Sequence, residues 1–576
     1  MILVPKSRIE QFVSRGWWEE TLLGERFLRR VAERGEADAV IDPPNLERIS
    51  GQVPRALSWT ALLTEVGRYA AWLDAAGLRK DDVLVAQLPN GVDLHALYLA
   101  CAITGVVISP VPVQYRAHEL AHVFRVTGAR AAVVSAQIGS HALARHWLEH
   151  RGDLGSLDSL WVLGGPVPAN AYDLRTALNQ GSAWSAATMK AHMQDIRLTA
   201  HDVLTICWTS GTEAQAKGVP RNHNEWLVVG QSVIDAGRLQ PGARMVIPFP
   251  FVNMAGLSTS LMTWLLLGAT LHHHHPFDLE VFVGQLRDHP TDYTVAAPAV
   301  LTMMLKQPQL LEGVDLSRLK VVGSGGAPIS EWLVEQLFER FGIELVNYFG
   351  SNEGASLSSS PFEMADRSQR ARYFPRTDAP GFTWRSVHAG KVRTRLVDMD
   401  SQQDIVEPGR VGELRFTGPG IFSGYYRAPE LTARAFDEQG FYRTGDLFEI
   451  SGAQGEFYRF VGRHKDIVIR GGMNVSAEEV EALLLGHPKV REAAVIGIPD
   501  AVLGERVCAV LALQPGEALS LEELVAHLRA VASVAAYKWP ERLEVVDTLP
   551  RNPVGKILKR ELRARYGSQA VGTAQS

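Results

Sequence analysis

The sequence predicts an α/β protein: a large N-terminal domain of layered α/β sheets, a β-barrel-like subdomain, and a small α+β domain at the C-terminus. Three observations carry this. Up to about residue 375, short buried strands alternate with helical segments of ten or more residues, the pattern of parallel sheets covered by helices. Past that point the strand-like pieces shorten and are separated by Gly, Pro and Asp, as at 412–416 and 440–443. From Arg463 a tail of about 110 residues has its own β-α-β order and the size of a domain.

The elements follow in order. Apolar residues at Leu62, Leu63, Val66, Tyr69, Ala70 and Leu73 have helical spacing and predict a helix over 59–79. A strand at 83–88 and a helix from about Gly91 come next. The longest apolar stretch, 94–113, holds His95, Gly105, Pro110 and Pro112, so it reads as buried helix, turn and strand rather than a membrane span. Further strands are expected at 131–134, 160–163, 245–248, 270–272, 293–296 and 320–323. In the tail the expected order is a strand at 466–469, a helix at 477–485, strands at 493–497 and 507–513, a helix near 521–531 and a basic final helix. The last ten residues are small and polar, the composition of a disordered end. A chain of 576 residues is too long for one core, and the boundary is expected at 462–466, giving domains 1–463 and 464–576.

Composition narrows the class of function. Hydrophobic content of 46% and charged content of 21% are those of an ordinary soluble protein. A net charge of −5, from 58 basic and 63 acidic residues, points to neither a nucleic-acid binder nor a polybasic membrane anchor. Cys101, Cys207 and Cys508 are far apart and have no metal-ligand spacing, so a reducing cytoplasm is the expected home. The opening M-I-L-V-P-K-S-R has too short an apolar run for a signal peptide.

The chemistry begins at 205–222, T-I-C-W-T-S-G-T-E-A-Q-A-K-G-V-P-R-N. A strand runs into a loop of small and hydroxyl-bearing residues that closes on Lys217, and a helix-like segment is expected after it. Such a loop offers N–H groups, hydroxyls and one cation to a phosphate. It is not a Walker A loop, since Lys217 is followed by Gly218 and Val219. Alone, the stretch reads equally well as a surface turn. Four more stretches join it: Val346-Asn347-Tyr348-Phe349-Gly350-Ser351-Asn352-Glu353-Gly354; Tyr442-Arg443-Thr444-Gly445-Asp446, read as a turn with a buried acid; Val461-Gly462-Arg463-His464-Lys465-Asp466 ahead of Gly471-Gly472; and Pro550-Arg551-Asn552-Pro553-Val554-Gly555-Lys556.

In this order and over nearly the whole chain, the five stretches resemble the AMP-forming adenylating superfamily of acyl- and aryl-CoA synthetases, adenylation domains and firefly luciferase. The resemblance implies ATP, Mg²⁺ and coenzyme A as cofactors. It makes Thr209, Ser210, Gly211, Thr212 and Lys217 the loop for the β- and γ-phosphates. Gly325, Gly326, Ala327 and Pro328 would line the adenine and acyl pockets. Phe349 would stack on adenine in place of the usual tyrosine, with Asn347 near the adenine amino group and Gly350 and Asn352 beside them. Glu353 would reach Mg²⁺, and Asp446 and Arg463 would hold the ribose hydroxyls, a carboxylate being able to accept both. Lys556 would stabilise the charge that builds as a carboxylate attacks the α-phosphorus. Because it lies on the small domain, that domain must be mobile and close over the nucleotide. Lys465 would mark the swivel for a second half-reaction, and Gly471 and Gly472 would line a tunnel for the pantetheine thiol.

The chain departs from the pattern at Glu213, Ala214 and Ala216, which replace a threonine, a glycine and a proline, and at Asn352, which replaces a threonine. His272 to His275 alternate faces if they lie on a strand, so they cannot converge on one metal ion. The stretch 418–424 lacks dinucleotide spacing, and there is no Gly-x-Ser-x-Gly elbow. His223, just after the phosphate loop, is a minor pocket candidate.

The acid pocket is expected along 248–257, where Phe251, Met254 and Leu257 make an apolar wall with Asn253 as one polar contact. It lacks the His-Asn-Tyr of dihydroxybenzoate-type enzymes and any carboxylate for an amino-acid ammonium. The stretches 16–22 and 220–224 resemble both aryl-acid ligases and acyl-CoA synthetases. The expected reaction is formation of a CoA thioester of an apolar acid. The alternative is a stand-alone enzyme loading a carrier-protein phosphopantetheine.

Overall fold

The computed structural model describes residues 1–209, 216–327, 329–463, 466–470, 473–500, 503–532, 536–552 and 555–567. Two mostly parallel sheets build the large domain. The first runs, in spatial order, 356–359, 344–350, 321–325, 293–295, 244–247, 270–273, 38–41 and 56–58. The second runs 172–173, 159–163, 131–135, 83–87, 107–110, 203–208 and 218–222. Antiparallel strands close both edges of the first sheet and one edge of the second.

The expected alternation of strand and helix is present because each inner strand is covered on both faces and must be apolar throughout. Val83–Gln87 and Ala131–Ser135 are buried at every position. So is the whole helix Val92–Thr104, which ends on Gly105 in the left-handed conformation before the strand Val107–Pro110. This is why 94–113 reads as one unbroken apolar stretch. Helix Trp59–Ala75 is four residues shorter than its apolar spacing predicts, because Gly77, at φ +76°, turns the chain before Leu78 re-enters the core.

A third, antiparallel sheet of five strands occupies the place expected for the barrel-like subdomain, in the order 373–375, 457–463, 442–451, 411–417, 393–397. Here the expectation of a turn at 442–446 is corrected. These residues open the ten-residue strand Tyr442–Ser451, and a register shift after Leu447 keeps it paired to Phe457–Arg463.

The small domain follows. Its strands order as 473–476, 467–470, 504–513, 490–500, with 542–545 parallel to 504–513. Alternate residues feed two cores. Ala493, Val495, Val507 and Ala509 face helices Ala477–Leu485 and Leu521–Ala532, while Ala494, Ile496, Cys508 and Val510 face Lys559–Gly567. Among the described residues no helix is long and apolar enough to cross a membrane.

Candidate active site

The phosphate-loop candidate is framed by a β-hairpin. Val203–Trp208 pairs antiparallel with Gly218–Asn222, and the helix expected directly after Lys217 starts only at His223. The sequence sets this delay. Asn222 accepts the Glu225 N–H at 2.8 Å while Glu225 accepts the Asn222 N–H at 3.0 Å, a reciprocal cap that fixes where the helix begins. The loop therefore does not sit on a helix N-terminus. Its described ends are tied together: the Thr209 N–H donates to the Lys217 carbonyl and the Lys217 N–H to Thr209 Oγ1, both at 3.0 Å. Ser210, Gly211, Thr212, Glu213 and Ala214 lie outside the described residues, as do Pro328, His464, Lys465, Gly471 and Gly472.

Across from Lys217 stands Tyr425, its ring centroid 5.2 Å from the ammonium. The Tyr425 hydroxyl donates to Glu353 Oε1 at 2.9 Å, and both groups are buried. Sequence reasoning passed over Tyr425; the tyrosine pair after Gly424 was its only local signal. Glu353 is a hard oxygen donor of the kind Mg²⁺ takes beside triphosphate oxygens, so the residue present fits the ion. Its loop is pinned by two hydrogen bonds. The Phe422 N–H donates to the Glu353 carbonyl at 2.9 Å, and fully buried Arg221 donates to the carbonyls of Asn352, Glu225 and Gly420 at 2.9–3.0 Å. Gly354, at φ +100°, lets the two loops meet: a Cβ there would lie 1.9 Å from the Gly420 oxygen. Arg221 also escaped the sequence reading.

Asp446 and Arg463, the residues expected to hold the ribose, face each other across paired strands, with Arg463 Nε donating to Asp446 Oδ1 at 3.0 Å. Burial pushes the Asp446 carboxyl above the usual range, the cations of Arg463 and Lys556 pull it back, and Glu353 adds an upward push. Lys556, 110 positions beyond Asp446 in the chain, thus lies within electrostatic reach of it. Its hairpin is held by the Lys556 N–H donating to Asn552 Oδ1 and the Asn552 N–H to the Lys556 carbonyl, both at 2.8 Å.

Asn347 spends its amide N–H groups on the carbonyls of Arg370 and Ala371, at 3.1 and 3.4 Å, which leaves its oxygen as the acceptor for an amino group. Phe349 packs with Phe374, Phe416, Phe448 and Phe460. Gly325 lies beside Tyr348, where a Cβ would come within 2.2 Å of the Tyr348 oxygen; Gly326 and Ala327 follow it, exposed, past the strand end.

The acid-pocket segment begins a helix. Asn253 Oδ1 accepts the Gly256 N–H at 3.0 Å, so the expected polar contact is spent on the cap. Met254–Leu257 runs into a π-helical turn at Ser258–Met262, a feature frequent at functional sites. Phe251 and Leu257 are fully buried, and Phe251 packs against His95, Tyr98 and His273. The four histidines diverge: His272 packs on His289, His273 on His95, and His274 donates to Gln285. Burial lowers His272, His273 and His275 to about 3. His223 is buried and accepts the Leu23 N–H, which makes it a docking point for the start of helix Leu23–Arg34. A separate cavity of about 360 Å³, bordered by Arg238, Ser358 and His388, includes none of the expected site residues.

This fold, with a two-sheet domain, an antiparallel subdomain and a small domain, is similar to that of ATP-bound MatB from Rhodopseudomonas palustris. The likeness has a TM-score of 0.78 at 25% identity and covers 96% of this chain and all of that one. The chain belongs to the AMP-binding enzyme family, whose model matches residues 27–426, and the family's C-terminal domain matches 479–556. A medium-chain fatty-acid–CoA ligase of Escherichia coli K12 is 30% identical over 565 residues, covering 97% of this chain and 93% of its own. A salicylyl-CoA synthase/salicylate adenylyltransferase of Streptomyces is 29% identical over 565 residues, covering 97% and 96%.

Proposed function

We propose that the chain activates an apolar carboxylic acid as its acyl-adenylate and passes the acyl group to coenzyme A. The observation that carries this reading is the 3.0 Å pair of Asp446 and Arg463, two separate motifs joined across paired strands, with the charges of Glu353 and Lys556 also acting on the buried Asp446 carboxyl. In the first step a carboxylate oxygen attacks the α-phosphorus of ATP, the bond to the bridging oxygen breaks, and pyrophosphate leaves with the electron pair. Lys217 holds the departing phosphates, Asp446 accepts the ribose hydroxyls, Arg463 keeps that carboxylate oriented, and Lys556 neutralises charge at the α-phosphate. Mg²⁺, held by Glu353 when bound, supplies further positive charge along the triphosphate. In the second step a thiolate attacks the acyl carbon and AMP leaves.

The small domain, 464–576, carries Lys556 and moves between the two steps. Phe251, Met254 and Leu257 make the acid side apolar, in keeping with the fatty-acid ligase among the relatives. A second reading has the acyl group passed to a carrier-protein phosphopantetheine; one relative is named for adenylation as well as for CoA thioester formation. Acid-dependent pyrophosphate release over a panel of fatty, alicyclic and aromatic acids, followed by thioester detection with CoA and with a holo carrier protein, tests both. Thioester formed only on the carrier overturns the CoA reading. No acid-dependent pyrophosphate overturns adenylation itself.

A further inference from the structure

Asn352, the residue that departs from the family's threonine, uses its side chain to join the two halves of the site. Its Oδ1 accepts the Met254 N–H at 2.8 Å, and its Nδ2 donates to the Trp208 carbonyl at 2.9 Å. Met254 is the first residue of the acid-pocket helix, one of the N–H groups that no helical carbonyl can satisfy. Trp208 is the last residue of the strand that leads into the phosphate loop. Asn352 is also the neighbour of Glu353, and its own carbonyl is held by buried Arg221 at 3.0 Å.

The contacts close into a ring. From Asn352 they pass to Trp208, then to Thr209 and Lys217 at the loop ends, across the Lys217 ammonium to the Tyr425 ring, and through the Tyr425 hydroxyl to Glu353. Threonine has one hydroxyl on a shorter side chain, whereas the asparagine amide presents a donor and an acceptor in opposite directions.

We propose that Asn352 is a positioning residue that locks the acid-pocket helix to the phosphate-loop strand, so that the acid carboxylate and the triphosphate are held at a set separation around Glu353. The assignment rests on the adenylation reading for its purpose, but the lock itself is testable without substrate.

Two variants separate its arms. Asn352→Leu removes both bonds. Asn352→Asp keeps an acceptor for the Met254 N–H and removes the donor to Trp208. Amide hydrogen exchange of the full-length chain, without nucleotide or acid, reads each arm. In Asn352→Asp, exchange in peptides reporting Thr209 and Lys217 should accelerate by about tenfold or more, while peptides reporting Met254 stay within about twofold of wild type. In Asn352→Leu both regions should accelerate, with 393–417 unchanged as the control. If Asn352→Leu fails to fold, Asn352→Asp alone carries the test.

Equal loosening of both regions in Asn352→Asp, or none at Thr209 and Lys217, overturns the proposal. In turnover with an acid that the wild type accepts, Asn352→Asp should raise the KM for ATP by about tenfold and leave the KM for the acid within about twofold. A general loosening of the structure would raise both. A wild-type chain without acid-dependent pyrophosphate release would overturn the adenylation reading and leave the exchange pattern standing.

Discussion

Replacing Tyr425 by phenylalanine removes one atom and tests whether Glu353 is held for metal binding. The ring is kept, so the Lys217 ammonium still lies 5.2 Å from its centroid, and the edge contact with Phe422 at 4.9 Å is unchanged. The variant loses the 2.9 Å bond from the hydroxyl to Glu353 Oε1 together with the hydroxyl's hydrogen bond with Tyr442. A hydrogen bond to a charged, buried acceptor is worth about 1.5–3 kcal/mol, and most of that should fall on the orientation of the carboxylate. If turnover needs that orientation, kcat/KM for ATP falls by about 10- to 150-fold. The half-saturating Mg²⁺ concentration should rise with it, because the free carboxylate must be reordered as the ion binds. The assay is acid-dependent pyrophosphate release at several Mg²⁺ concentrations, with an acid that the wild type accepts. A variant within twofold of wild type in both quantities would refute the reasoning and reduce Tyr425 to a packing residue.

Lys556→Ala should cut adenylation by at least about 100-fold while the Kd for ATP, measured by calorimetry, stays within a few-fold, since the ammonium acts on developing charge. Gly354→Ala places a Cβ against the Gly420 oxygen at a backbone angle L-residues avoid; it should cost about 2–5 kcal/mol in denaturant unfolding and displace Glu353, lowering kcat as well. His273→Phe tests the buried imidazole. In the native chain its pKa is lowered to about 3 by burial, with His272 adding to the effect, whereas the unfolded chain protonates it near 6.5. Between these values the unfolded state binds the extra proton, so wild type loses stability as pH falls and the variant lacks that loss. The stability difference between the two should move by about 2 kcal/mol in favour of the variant from pH 7 to pH 5, and an identical difference at both pH values would refute it.

What the sequence disclosed and what it hid divide along a physical line. The inner strands of the two large sheets were legible because both of their faces are covered, so each is an apolar run between glycine and polar turns, as at Val83–Gln87. The strand Gly218–Asn222 was not legible. Its proline and arginine speak against a strand, and it exists because it pairs with Val203–Trp208 and because Arg221 is satisfied by carbonyls brought from residues 225, 352 and 420. Tyr442–Ser451 was hidden in part by Gly445, whose φ of +69° looks like a turn yet sits within a strand.

The site divides in the same way. Lys556 and Asp446 are picked out only by the family resemblance, since the stretches 550–556 and 442–446 say little alone. Tyr425 and Arg221 act across 72 and 131 residues of chain, and nothing in their own neighbourhoods records the partner. Asn352 stands between the two cases. Its identity was visible as a departure from the family pattern, but its meaning was not, because both of its partners are backbone groups, at Met254 and Trp208, that carry no side-chain signature. In the folded chain both ends of its amide are used, the oxygen by the Met254 N–H and the nitrogen by the Trp208 carbonyl.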